Sequence, residues 1–106
     1  MNENIYSLPE ILRKDFETFH SLFQNEDILI EKIISTGQRT PDNQWLQQEK
    51  SEWVVLIRGK AGIRLLNEDV RELNEGDYIH IPKNTKHRVE YTSSEPVCIW
   101  LAVHFI

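Results

Sequence analysis

The sequence predicts an all-β fold, a sandwich or barrel, preceded by one α-helix. Three observations carry that prediction. Short apolar runs rich in Ile, Val and Leu recur across residues 28–105, each about the length of a strand. Turn-forming residues separate them every 8–12 positions or so, the rhythm of sandwiches and barrels. Ahead of them, apolar residues at spacings of three and four trace one face of a helix.

The elements follow in order. Ser7-Leu8-Pro9-Glu10 reads as a helix start: Ser7 caps, Glu10 completes a capping box, and Pro9 is tolerated in a first turn. Ile11, Leu12, Phe16, Phe19, Leu22 and Phe23 form the stripe, so the helix is expected over residues 8–23, covering the outside of a sheet. After Asn25-Glu26-Asp27, the isoleucine-rich run Ile28 to Ser35 is a strand. Gly37 to Asn43 is a loop. Trp53 to Ile57 is an apolar strand that ends at Gly59, and Ala61 to Leu66 is the next, closed by an Asn67-Glu68-Asp69 turn. Val70 to Leu73 returns, Asn74 to Asp77 turns, and Tyr78 to Ile81 runs until Pro82 stops it. His87 to Tyr91, a turn over Thr92 to Pro96, and Val97 to Phe105 complete the chain.

A chain of 106 residues is one domain, 1–106, large enough to bury a core without staples. The formal charge of −5, with scattered basic residues, argues against nucleic acid as a partner, because phosphate neutralisation needs clustered Lys and Arg. The single cysteine, Cys98, forms no intrachain disulfide and sits in an apolar run as a small hydrophobe. The first residues carry neither a basic nor an apolar signal region, and the run Val97 to Val103 is too short to span a bilayer. No membrane association is expected, and the expected location is cytoplasmic.

Two motifs stand out. The first is Glu52-Trp53-Val54-Val55-Leu56-Ile57-Arg58-Gly59; the second is Gly76-Asp77-Tyr78-Ile79-His80-Ile81-Pro82, followed by Asn84 and His87. Together, over residues 45–105, they resemble the two motifs of the cupin family of small β-barrels. Asn84 replaces the usual Gly, a mild change because Asn also tolerates left-handed backbone. The resemblance extends over nearly the whole chain to small bacterial cupins with an N-terminal helix and a Trp-rich first motif. It implies a double-stranded β-helix, or jelly-roll barrel, with one N-terminal helix.

In cupins, two His and a Glu of the first motif and a His of the second bind one divalent metal. Carried over by position, these become Leu46, Gln48, Glu52 and His87. Leu46 cannot ligate, and Gln48 offers only a weak carbonyl oxygen. Gln48, Glu52, Val54 and Leu56 share parity, so on a regular strand they face the lumen, and Trp53, Val55 and Ile57 face outward. A bulge near Gln47 would reverse Gln48. The outward apolar row needs cover from the helix or a second subunit, and a homodimer is expected.

Each candidate has a structural reading beside its functional one. Glu52 is a metal ligand or general base, or a carboxylate hydrogen-bonded at the barrel mouth, with His87 as a partner. His87 shares parity with Val89 and Tyr91 and faces inward as a ligand or as a satisfied polar group. His104, in line with Cys98, Trp100 and Ala102, is a packed histidine or a replacement for a missing first-motif His. The candidate metal set is therefore Gln48, Glu52, His87 and His104, for Fe, Mn, Ni or Zn. His80 is a strand filler and His20 is solvated. Trp45 packs or stacks a planar ligand near the mouth, and Arg58, Lys60 and Arg64 form a solvated face.

Three functions stay open. The first is a metal-dependent cupin with oxygenase, isomerase or decarboxylase chemistry on a small metabolite. The second is a metal-free barrel that binds a small molecule. The third is an accessory protein whose lumen groups are structural.

Overall fold

The computed structural model describes residues 3–106. Its strands are β1 Thr18–Gln24, β2 Ile28–Ser35, β3 Ser51–Arg58, β4 Ala61–Leu65, β5 Arg71–Leu73, β6 Tyr78–Ile81, β7 His87–Thr92 and β8 Cys98–Phe105. They form a five-stranded sheet in the order β1-β2-β8-β3-β6 and a three-stranded sheet in the order β5-β4-β7. Every pairing is antiparallel.

No helix occurs among the described residues, so the expected helix over residues 8–23 is corrected: its second half is the edge strand β1, and its first half is irregular. The competing force is strand pairing. Phe16, Thr18, Phe19 and Phe23 favour extended backbone, and β1 lies antiparallel along β2, from Thr18 opposite Ile34 to Gln24 opposite Leu29. The Asn25 side-chain oxygen accepts from the amides of Asp27 and Ile28, each at 2.9 Å, and folds the hairpin between the two strands. A helix would satisfy its own backbone but leave the polar edge of β2 unpaired. The supposed apolar stripe is not a buried face either, since Ile11 is 81% exposed and Phe19 57%. The preceding segment is tied down by polar contacts: the Thr36 hydroxyl donates to the Arg13 carbonyl at 2.8 Å, and Gln38 Nε2 donates to that of Lys14 at 3.1 Å. The Lys32 ammonium donates to the Ser7 carbonyl.

The register of the large sheet decides what lies inside. Across β3 and β8, Glu52 stands opposite His104, Val54 opposite Ala102 and Leu56 opposite Trp100. On the other side of β8, Leu29, Glu31 and Ile33 stand opposite His104, Ala102 and Trp100. Because side chains alternate, these rows face the smaller sheet. Toward Leu56 the interior is a packed core that includes Ile63, Leu65, Leu73, Ile79, Cys98 and Trp100. Burying each of its large apolar side chains contributes about 1.5–3 kcal/mol. Toward Glu52 and His104 the row turns polar, and packing gives way to a cavity.

The opposite parity makes the outer face of the large sheet. Ile30, Trp53, Val55, Leu101 and Val103 are all half-buried there, and Tyr78 is exposed. The rings of Trp53 and Tyr78 lie 5.5 Å apart, and His80 stacks on Phe105 at 6.0 Å.

Candidate functional site

The cavity holds about 310 Å³, and Gln48, Glu52, His87 and His104 all line it, with Glu17, Glu31 and Gln47. Phe19, Ile33, Val54, Ile63, Val89 and Trp100 are among its apolar walls. Its polar groups come from both sheets and from the segments before β1 and β3.

Glu52 begins the inward row of β3. Its Oε1 accepts from Gln48 Nε2 at 2.8 Å, so its hydrogen-bond partner is this amide and not His87. Gln48 precedes β3, where the chain is no longer a regular strand; hence neighbouring Gln47 also reaches the cavity wall, and period-two alternation does not apply. The segment is held by Leu46, which exchanges two backbone hydrogen bonds with His87 at 2.7 and 3.0 Å. The Asn84 amide donates to the Gln48 carbonyl at 2.8 Å. Asn84 has φ of 60°, the left-handed conformation for which Asn is the usual substitute for Gly.

His87 opens β7 and is only 5% exposed. Its Nδ1 lies 2.9 Å from the Thr85 carbonyl oxygen. A carbonyl only accepts, so Nδ1 carries the proton, and in the neutral ring Nε2 is a bare acceptor. Nε2 has no partner among the described residues, and the ring it belongs to lines the cavity.

His104 Nε2 donates to Glu31 Oε1 at 2.8 Å, both side chains being largely buried. Glu31 was not among the expected site residues, though Leu29, Glu31, Ile33 and Ser35 share one parity, and a carboxylate on the inward side of an isoleucine-rich strand is the signal that identifies it. Glu17 was also missed, hidden within the stretch read as a helix. It accepts a hydrogen bond from the Ser35 hydroxyl, and Ser35 Oγ in turn accepts from Trp100 Nε1 at 3.0 Å. Burial pushes the Glu17 carboxyl above its ordinary value; the Ser35 hydrogen bond works against this, and the negative charge of Glu52 adds to it. A carboxyl whose proton affinity is raised by burial and an imidazole with a bare nitrogen thus face one cavity, a combination able to give and take a proton on a bound molecule.

The donor set does not fit a divalent metal. Gln48 is committed to Glu52 and His104 to Glu31. No three His, Cys, Asp or Glu side chains among the described residues gather as a metal-holding group, whereas a protein-built site normally supplies three or four donors. Trp45 does not line the cavity either: the Arg64 and Arg88 guanidinium groups lie over its ring at 5.1 and 5.9 Å, so that face is taken. Arg64 also pairs with Glu90 at 3.0 Å and is not simply part of a solvated face.

No curated protein matches the chain. Among solved structures, a Ralstonia eutropha JMP134 protein provisionally named a mannose-6-phosphate isomerase is 32% identical, with a TM-score of 0.92 over 99% of this chain and 97% of that one. An RmlC-like cupin family protein of Methanocaldococcus jannaschii with a double-stranded β-helix fold is 18% identical, with a TM-score of 0.71 over 99% and 92%. A DMSP lyase of Ruegeria pomeroyi DSS-3 is 16% identical, with a TM-score of 0.72 over 90% of this chain and 51% of that one. These last two likenesses are of fold alone. The cupin domain family matches residues 33–104. With that match, the Ralstonia likeness and the two-sheet barrel around a polar lumen, this chain belongs to the cupin family.

Proposed function

We propose that this protein binds a small organic molecule in the lumen of its barrel, and that its own side chains rather than a metal hold the ligand. The observation that carries the reading is His87: a deeply buried imidazole whose Nε2 has no partner among the described residues, on the wall of a cavity of about 310 Å³. Nε2 opens on the cavity as a free acceptor, and a ligand donor would give it a hydrogen bond of about 0.5–1.5 kcal/mol. The size and the mixture of apolar walls with a few convergent polar groups are those of a small-molecule site. The phosphosugar in the Ralstonia protein's provisional name is not carried over, because no Lys or Arg among the described residues lines the lumen.

A second reading, an enzyme that moves a proton on its ligand, is favoured by Glu17, whose burial raises its carboxyl above the ordinary value, facing the same space as His87. Isomerase or lyase chemistry would then follow from these two groups.

Thermal shift of untagged protein against a metabolite panel tests binding, since a ligand raises Tm by mass action. A rise with at least one compound, unchanged by chelator and weakened in His87→Gln, is expected. Ligand binding that appears only with one equivalent of Fe, Mn, Ni or Zn, measured by elemental analysis, would overturn the metal-free reading. No shift with any compound would leave the lumen groups as structural.

We also propose a homodimer through the outer face of the large sheet, where Ile30, Val103, Leu101, Trp53 and Val55 form a contiguous apolar row across three strands. A second copy presents the same row to it under two-fold symmetry.

A further inference from the structure

Resting on the reading of the lumen as a ligand site, we propose that its ligand is a small organic cation: an ammonium group carried on a compact apolar body. The lining combines three acidic side chains, Glu17, Glu31 and Glu52, with no Lys or Arg among the described residues, although the chain has 12 of these. Glu52 has an amide as its hydrogen-bond partner, not a cation. Glu31 is matched in charge only when His104 is protonated.

The hydrogen-bonding inventory points the same way. Gln48 Nε2 is engaged with Glu52, Gln47 Nε2 with the Asn84 carbonyl at 3.3 Å, and the Trp100 indole with Ser35. Each glutamine keeps one further N–H, but most of what remains open accepts: the free oxygens of the acidic side chains and the Nε2 of a 95% buried His87 ring. Acceptors need a ligand that donates. An ammonium brings only donors and a positive charge, and low-dielectric walls focus the field of the carboxylates on it. The Trp100 ring adds an aromatic wall, suited to the apolar body and to cation–π attraction. A carboxylate or phosphate ligand would bring acceptors and negative charge to a wall that already has both.

The test uses three probes of one shape and different charge: benzylamine, benzyl alcohol and benzoate. Each is titrated into the full chain by calorimetry at neutral pH. Benzylammonium is expected to bind at least about tenfold tighter than the alcohol, with benzoate weakest, the scale of one favourable charge contact. Glu52→Gln, shown to be folded by circular dichroism, is expected to lose most of that advantage and to keep its affinity for the alcohol. Benzoate or the alcohol binding as tightly as the amine overturns the cation assignment and leaves the lumen a ligand site. Unchanged amine affinity in a folded Glu52→Gln likewise overturns it. Failure of all three probes, with failure of the wider panel, removes both readings. The charge comparison in the unmodified protein stands whether or not the variant folds.

Discussion

Replacing Gly59 and Gly76 by alanine, one at a time, separates backbone strain from collision at the two motif glycines. Both have positive φ, 97° at Gly59 and 90° at Gly76. That conformation costs a residue with a Cβ about 1–2 kcal/mol. At Gly76 a Cβ would meet nothing within 4 Å, so strain is the whole cost. At Gly59 it would lie 2.8 Å from Cys98 Sγ and from Ser93 Oγ, and 3.1 Å from the Cys98 Cα. Neither neighbour moves freely. Cys98 is fully buried. Ser93 Oγ accepts from the Lys60 amide at 3.0 Å and donates to the Pro96 carbonyl at 2.7 Å. Overpacking of this kind adds about 1–3 kcal/mol. Gly59→Ala should therefore lose about 2–5 kcal/mol and Gly76→Ala about 1–2 kcal/mol. Urea unfolding followed by tryptophan fluorescence measures both, with unchanged m-values as the two-state check. Equal losses, or a larger loss at Gly76, would refute the close approach of the β3–β4 turn to the start of β8. That approach bears on the site, because the same strand pairing sets Glu52 opposite His104.

Three further predictions follow from single contacts. Ser35→Ala removes the acceptor of the buried Trp100 indole and should cost about 1–3 kcal/mol by urea unfolding; a change within 0.3 kcal/mol or so would contradict the relay. Glu17 holds its proton above the ordinary 4.5 through burial, against the Ser35 hydrogen bond and with the Glu52 charge, so the fold binds more protons than the unfolded chain just above that pH. Its contribution to stability is then complete below pH 4.5 and is lost as pH rises through the folded value. Glu17→Gln should remove that loss, so that its Tm relative to the parent climbs with pH across this window; a parallel pair of profiles would contradict it. Trp53→Glu puts a charge into the outer apolar row and should convert a dimer to a folded monomer by sedimentation equilibrium, whereas a parent that is already monomeric removes the dimer proposal.

Strand positions were largely legible because alternation and turn residues act locally. The run Ile28 to Ser35 is a strand with those bounds, and Tyr78 to Ile81 ends at Pro82 as expected. The inward parity of Glu52, Val54 and Leu56 follows from the same regularity and is met by their register against β8. The N-terminal segment was misread because Ser7, Pro9 and Glu10 carry real local helix signals and the phenylalanines fall at helical spacings by coincidence. What overrode them is the edge of β2, offered across the short Asn25 hairpin; β2 is held in the sheet by β8, whose residues lie far along the chain and are invisible from residues 8–23. Glu17 was lost with that error, since its place in the cavity depends on the path of an irregular segment. Glu31 was within reach by parity. The engagement of Gln48 with Glu52 and of His104 with Glu31 was not, because it depends on which polar tips meet across the lumen.

The most direct test follows the ring nitrogens of His87 by 15N NMR during titration with the tightest ligand found. The account predicts a proton on Nδ1, held by the Thr85 carbonyl, with the Nε2 resonance moving as the ligand saturates. A ring protonated at Nε2 instead, or a ligand that saturates the protein while both nitrogens stay unmoved, would contradict it.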